Sequence, residues 1–240
     1  MNGSVVHAIA GQRSAYLPIR SVLSSSSDPR AIARALLDAA PFGRLYVADL
    51  DAIMQEGRGP QVELLRTLCS VVGDVSGELW LDAGWFDGGR APWRASLALA
   101  ARSCGASLVW VVGSESLAAA DLPVDVDCVL SLDFREDEFL GPVGLELDAH
   151  AWPRRVIVMD LSVVGADRGP AFGLLERLRG TAAAAGRRDV AFFCAGGVRD
   201  CADLEALAEK GAQGALVASA LHDRRIDKPA LRRLLNLRKQ

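Results

Sequence analysis

The sequence predicts an α/β fold in one domain spanning residues 1–240, a barrel of eight βα units, on three observations. Short apolar, β-branched runs recur eight times, at 5–10, 44–50, 77–84, 107–113, 127–134, 155–161, 190–197 and 214–219. Amphipathic segments such as DPRAIARALLDAA (28–40) and ADLEALAEKGA (202–212) separate them. The length, 240 residues, suits a (β/α)₈ TIM barrel, which typically takes about 250. Runs that are apolar on both faces and alternate with helical patterns indicate a parallel sheet covered by helices.

Taken in order, VVHAIA (5–10) is expected as the first strand. The first helix is punctuated by Asp28 and Pro29, a capping residue followed by proline at the first helical position. RLYVADL, GELWLDAG and SLVWVVG supply the next three strands, and Gly105 and Gly211 follow helical stretches where a left-handed C-terminal residue is needed. The fifth run, DCVLSLDF, lacks a clean helix behind it. EDEFLGPVGLELDAHAW (136–152) carries Gly, Pro and strand character instead, so a β-excursion is expected there. RVIVMDL, VAFFCAGG and GALVAS complete the set, and serines 24–27 read as a loop tip.

Composition excludes several classes. Half the residues are apolar and 24% are charged, with a net charge of −3, so there is no basic excess for a nucleic acid partner. The five cysteines, at 69, 104, 128, 194 and 201, include no C-x-x-C pair, which argues against a disulfide framework and a metal site. No run approaches the ~18 apolar residues of a membrane span. A cytoplasmic protein with no membrane partner, no metal and no cofactor is expected; nothing in the sequence fixes its oligomeric state.

The two halves repeat. LYVADL (45–50) matches VIVMDL (156–161), LWLDAGWFD (79–87) matches FFCAGGVRD (192–200), and VVGSESL (111–117) matches LVASALH (216–222). Ordered matches at nearly constant offset point to a duplicated half barrel. Barrels of this kind bind ligands where strands end at the C-terminal face, with phosphate on the loops after strands seven and eight. Gly196, Gly197, Ala218 and Ser219 fall there, and Gly84, Gly113 and Ser114 hold the equivalent places in the first half. Backbone N–H groups at glycines and helix starts suit an anion, so a small phosphorylated metabolite is the expected partner.

The stretch GSVVHAIAGQR…Y-x-P…DP, followed by LYVADLDAI, LDAG, VVGSES, SLDF, VIVMDLSVVG, CAGGVRDCADLEAL and LVASALHD, resembles the HisA/HisF family of histidine biosynthesis over nearly the whole chain, HisA more closely. The resemblance implies an aminoaldose to aminoketose isomerisation, an Amadori rearrangement, using paired aspartates on a ligand with two phosphates. ADLDAI together with VVHAxxGxRxxYxP is still more similar to HisA-like paralogues associated with one-carbon, methanopterin or methanofuran genes. The family's first strand, of the form P-A-I-D-L, carries one catalytic aspartate ahead of the segment matching GSVVHAIAG. Here Met1 precedes that segment almost directly, so either VVHAIA takes the strand's place or the strand lies upstream.

The family's second aspartate falls on Asp133. Its D-G-T loop reads Val164-Gly165-Ala166 here, its strand-six threonine falls on Met159, and its G-G-G-I-R-S loop becomes Asp82-Ala83-Gly84-Trp85-Phe86-Asp87. Carboxylates at 82 and 87 beside a phosphate would repel it by roughly 1 kcal/mol per close exposed pair, so one phosphate is expected rather than two.

An isomerase needs an acid and a base. Asp133 takes one role, and Asp82, Asp51 or Asp49 the other. Asp49 and Asp51 alternate with Leu50 and so are expected on one face, while Asp160 orients a loop. His7, on the first run, is a further candidate. Arg13, Tyr16 and Arg199 are expected to grip an anionic or planar ligand, and Trp85 to stack on it. His222 is expected on a helix surface, and Trp80 and Trp110 in the core. Two functions remain open: a cofactor-free isomerase, or a diverged binding or scaffold subunit of a one-carbon cofactor pathway.

Overall fold

A computed structural model of the chain describes residues 1–40, 42–54, 60–86, 88–120, 122–123 and 127–237; Asp87 lies outside them. One large sheet organises the molecule. Its strands are β3 (Arg44–Ala48), β4 (Glu78–Asp82), β5 (Ser107–Gly113), β6 (Cys128–Arg135), β8 (Arg155–Asp160), β9 (Ala191–Ala195) and β10 (Gly214–Leu216), in the order β10-β9-β8-β6-β5-β4-β3. All of these pairings are parallel. Helices α1 (Pro29–Ala39), α2 (Leu50–Met54), α3 (Val62–Gly73), α4 (Pro92–Ser103), α5 (Phe172–Ala184), α6 (Cys201–Glu209), α7 (Ser219–His222) and α8 (Lys228–Leu237) are interleaved with them. The result is a nearly closed parallel barrel with helices around it, a TIM-barrel fold.

The first run departs from expectation. Only Val6–His7 (β1) is extended, and it pairs antiparallel with Leu17–Pro18 (β2) in a separate two-stranded sheet. The physical reason is the turn after it: Ala10 and Gly11 take positive φ (45° and 72°), and a 3₁₀ turn at Arg13–Ala15 sends the chain back on itself. VVHAIA therefore forms a hairpin rather than a barrel stave. The expected β-excursion is present, since β7 (Glu138–Leu140) folds back on β6 with Leu140 opposite Asp133.

Period-two alternation sorts side chains into two layers. Leu79, Leu81 and Val112 face outward with the buried residues of α3 and α4, and Leu130, Val156 and Val158 face outward with those of α5. Trp80, Val109, Val111, Val129, Ile157 and Phe193 point inward and fill the barrel. Trp80 meets Phe193 edge to face, with ring centroids 4.9 Å apart. Beneath them Glu78 accepts hydrogen bonds from Trp80 Nε1 (2.9 Å) and Arg44 Nε (2.8 Å), and Arg155 pairs with Asp127 at 2.6 Å. Charge therefore closes the N-terminal end of the barrel.

Helix starts follow the capping rules where the sequence supplies them. Asp28 accepts from Ala31 N–H (2.9 Å) and Asp200 from Asp203 N–H (3.1 Å). Trp80 is 2% exposed at the barrel centre, whereas Val143 is fully exposed. Trp80→Ala should cost about 3–5 kcal/mol in urea unfolding, and Val143→Ala should stay within about 0.5 kcal/mol of the parent.

Candidate functional site

Alternation along three neighbouring strands brings Asp82, Gly113 and Asp133 to the C-terminal rim. Asp82 lies opposite Val111, Gly113 opposite Ser131, and Asp133 opposite Met159. Both carboxyls are buried, at 6% and 4% exposure, and both line a cavity of about 1470 Å³ opening at this rim. A Cβ placed on Gly113 would stand 3.1 Å from Asp82 Oδ2 and 3.3 Å from Asp133 Oδ2, so the two oxygens flank one point. The φ of Gly113 is −75°, which any residue adopts. Glycine is used here because it leaves room for two carboxyl groups.

Their environment holds protons on them. Burial pushes the Asp82 carboxyl up to about 7, with the Gly84 N–H (3.1 Å) and the Arg13 and Arg94 charges pulling against it and Glu115 adding to it. Burial likewise pushes Asp133 up to about 8, against a Ser131 hydroxyl at 2.6 Å, with Glu115 and Asp82 adding to the rise. Asp133 Oδ2 also accepts from the Glu115 N–H at 3.2 Å. Glu115 itself is ion-paired with Arg13, which reaches over from the N-terminal hairpin loop. Tyr46, inward on β3, lines the same cavity, and burial followed by the Asp82 and Asp133 charges raises its phenol well above the ordinary value. Two close carboxyls titrating near neutral pH can share a proton and so supply an acid and a base together.

The other acids have different work. Asp49 caps α2, accepting from the N–H groups of Ala52 and Gln61 (3.2 Å each). Since α2 begins at Leu50, Asp49 and Asp51 are not alternating strand residues as expected. Asp51 accepts from the Asn2 N–H (2.6 Å) and from Gln61 Nε2 (3.0 Å), tying the N-terminus to the rim. Asp160, the repeat partner of Asp49, accepts from Ser162 N–H and hydroxyl (2.9 and 2.6 Å), orienting a loop as predicted.

At the second-half rim, Gly196 and Gly197 have φ of 95° and 77°, and a Cβ on Gly197 would collide with the Gly169 carbonyl. Close packing is thus one reason for the glycine pair. No protein acceptor is found for the N–H groups of Gly196, Gly197 or Ala218 among the described residues. Ser219 opens α7 beside them, and His7 and Tyr16 line the same cavity. His222 is buried at 4%, not on a surface, with Nδ1 2.9 Å from the Ser21 hydroxyl. Burial, against the Asp223 charge and with that of His7, lowers its pKa.

In the first half the Gly84 N–H and the Ser114 hydroxyl are occupied within the protein. The Gly84 N–H goes to Asp82, while the Ser114 hydroxyl donates to the Leu140 carbonyl (2.6 Å) and accepts from the Asp133 N–H (2.9 Å). Two side chains expected at the ligand are likewise engaged. Trp85 is 5% exposed, and the Arg94 guanidinium lies 4.2 Å from its ring centre, so its face stacks on protein rather than on an open site. Arg199 makes a double contact with Asp203 (2.9 and 2.8 Å). Glu115, Tyr46, Ser131 and Arg94 are not singled out by the sequence. Ser131 alone has a local signal, two residues before Asp133 and therefore on the same face. Among the described residues no cluster of three or more His, Cys, Asp or Glu placed to hold a metal is found, and no helix is long and apolar enough to cross a membrane.

A parallel barrel with helices outside and titratable groups at the C-terminal ends of its strands defines the class as a TIM-barrel protein. Residues 147–227 match the model of the histidine biosynthesis protein family, so the second half of the chain is similar to that family. An uncharacterized protein of Methanocaldococcus jannaschii is 26% identical over 218 residues, covering 90% of this chain and 87% of that protein. Crystal structures of mandelate oxidase with (S)-2-phenylpropionate and with benzoyl-formic acid align over 98% of this chain and 75% of theirs. Their identities are 16% and 15%, and the TM-score is 0.46 for both.

Because both carboxyls are raised above the unfolded value of about 4, the folded state holds protons that the unfolded state has lost. Their contribution to stability is fully present below about pH 4 and falls as pH rises through about 7 and 8. Thermal unfolding of Asp133→Asn should show a shallower decline over that window than the parent. Gly113→Ala should shift the same profile, since its methyl group would press on both carboxyls.

Proposed function

We propose that the barrel binds a small phosphorylated ligand at its C-terminal rim and isomerises it from aldose to ketose by proton transfer, without a cofactor. The observation that carries this reading is the pair of buried carboxyls, Asp82 and Asp133, flanking one point above Gly113. In an Amadori rearrangement an acid protonates the ring oxygen and opens the sugar to an imine. A base then takes the proton from the adjacent carbon, and the resulting enol tautomerises to the ketone. A coupled pair sharing one proton near neutral pH fits both steps. Either residue can hold that proton; the pair, rather than a fixed assignment, is what the reading requires.

The phosphate belongs at the second-half rim, on the N–H groups of Gly196, Gly197, Ala218 and Ser219, with His7, Arg13 and Tyr16 around the same cavity. Because Gly84 and Ser114 spend their donors internally, a ligand with one phosphate is favoured over one with two. Glu115 and Arg13 are paired with each other at the mouth, so neither brings an uncompensated charge there.

A second reading, a binding subunit of one-carbon cofactor biosynthesis, draws on the 164–166 loop. Val164 accepts from the Ala10 N–H (2.8 Å) and Gly165 is pressed against the Ala8 carbonyl, so that loop serves the N-terminal hairpin and brings neither carboxylate nor hydroxyl to a ligand. Purified protein incubated with a phosphorylated aminoaldose separates the two: ketose formation supports the isomerase, and binding without turnover supports the subunit. If the isomerase reading holds, Asp82→Asn and Asp133→Asn should each lower kcat by about 10²- to 10⁴-fold with KM nearly unchanged. The kcat profile of the parent should be bell-shaped in pH; full activity in both variants would sink the assignment.

A further inference from the structure

The two halves of the barrel hold a rim loop by the same device with opposite charge. Helix α6 begins at Cys201, and its third residue, Asp203, accepts from the Arg199 N–H at 2.9 Å. Helix α4 begins at Pro92, and its third residue, Arg94, donates from Nη2 to the Gly84 carbonyl at 2.6 Å. An acid suits a first helical turn, where the dipole end is positive; a guanidinium does not. Arg94 is also buried, at 6% exposure, which adds the cost of desolvating a charge. The rings of Trp85, Trp93 and Trp110 around it offset part of that cost. They do not explain the cation, because an apolar side chain of similar volume would fill an indole-lined pocket without it. A residue kept against its local electrostatics answers a demand elsewhere.

That demand is visible in the hydrogen bonds. The peptide joining Gly84 to Trp85 is clamped on both sides: Arg94 holds its carbonyl, and its N–H donates to Ser116 Oγ at 2.8 Å. Ser116 in turn donates to the Gly113 carbonyl at 2.8 Å. Gly84 has a φ of 70°, and with its far peptide fixed its own N–H is aimed back at Asp82 Oδ1, 3.1 Å away. With Oδ1 tied, Oδ2 is the oxygen closer to the point above Gly113, at 3.1 Å against 3.7 Å, where Asp133 Oδ2 also stands. We propose that Arg94 is a positioning residue for Asp82: by fixing the Gly84–Trp85 peptide, with Ser116 as the second clamp, it presents one carboxyl oxygen to Asp133. The inference rests on the reading of Asp82 as half of a working pair, and Arg94 itself touches no ligand.

The groups facing Asp82 are Asp133 from β6, Glu115 from the turn at Ser114–Ser116, Tyr46 from β3, Arg13 from the hairpin loop and Arg94 from α4. Burial raises the Asp82 carboxyl, and the Gly84 N–H leads the groups that oppose the rise, ahead of Arg13 and Arg94. Loss of Arg94 removes a cation and loosens that N–H together. Both changes favour the protonated acid.

The test needs no substrate. Carbon-13 titration of aspartate carboxyls is run in an Asp133→Asn background, where Asp82 titrates without the neighbouring carboxyl, and Asp82→Asn assigns its resonance. Arg94→Met should raise the Asp82 midpoint above that of the background and make the Gly84 amide exchange at least about 10-fold faster. Arg102→Met, exposed on the same helix, should change neither. Should Arg94→Met fail to fold, Arg94→Lys, which keeps the charge without the planar fork, and Ser116→Ala supply the same two readouts and should move both in the same direction. An unchanged or lower midpoint in the folded variants overturns the proposal, even where Tm falls, by showing that Arg94 only fills its pocket. A raised midpoint in a protein that forms no ketose leaves the positioning role standing and removes the isomerase reading; ketose formation with an unmoved midpoint does the reverse.

Discussion

Parallel strands covered by helices on one side and packed against one another on the other must be apolar on both faces, and almost everything distinctive here is an exception to that demand. Inward positions along β4, β5 and β6 read Trp80, then Asp82; Val109, Val111, then Gly113; Val129, Ser131, then Asp133. The barrel changes from aromatic and branched aliphatic to carboxyl within one strand's length. Because the strands are parallel, these changes fall at the same end. One geometric rule thus gathers the polar exceptions into a single rim. The charged groups Glu78, Arg44 and Arg155 occupy the opposite end for the same reason.

Burying two carboxyl groups side by side has a thermodynamic cost, and the surrounding residues reduce it without removing it. Ser131 and two backbone N–H groups satisfy oxygens, while Arg13 is directed at Glu115 rather than at either aspartate. A guanidinium placed directly on Asp82 or Asp133 would have driven both toward permanent ionisation. The structure instead keeps the cation one residue away, and the pair remains able to exchange a proton.

Much of the fold is legible in the sequence because a period of two and a period of 3.6 leave different traces. Strands β3 to β5 and β8 to β10 fall within the predicted runs, β6 runs one residue past its own, and Asp28-Pro29 marks the start of α1. VVHAIA departs from its expected place because a short apolar run carries no record of its partner. What decides its fate is the turn at Ala10 and Gly11, and a half-exposed hairpin strand has much the same composition as a buried one. At the site, Asp133 and Asp82 can be named from strand ends, since alternation fixes their direction. Trp85 and Arg199 escape such reading for the opposite reason. Their neighbours Arg94 and Asp203 lie on the next helices along the chain, and which long side chain a loop residue meets depends on helix docking that no local pattern encodes. Glu115 is invisible on the same grounds, its partner being 102 residues away.

The Arg94 guanidinium lies within 4.2, 4.6 and 4.8 Å of the ring centres of Trp85, Trp93 and Trp110. It also donates to the Gly84 carbonyl at 2.6 Å, and the N–H of that same glycine is held by Asp82. Three of the five tryptophans are therefore joined mechanically, through one glycine, to a carboxyl at the rim. Indole emission responds to nearby charge and to small changes in ring packing. The protein thus carries an intrinsic optical probe one glycine away from Asp82, placed to report in ultraviolet fluorescence, without any label, on changes at that carboxyl.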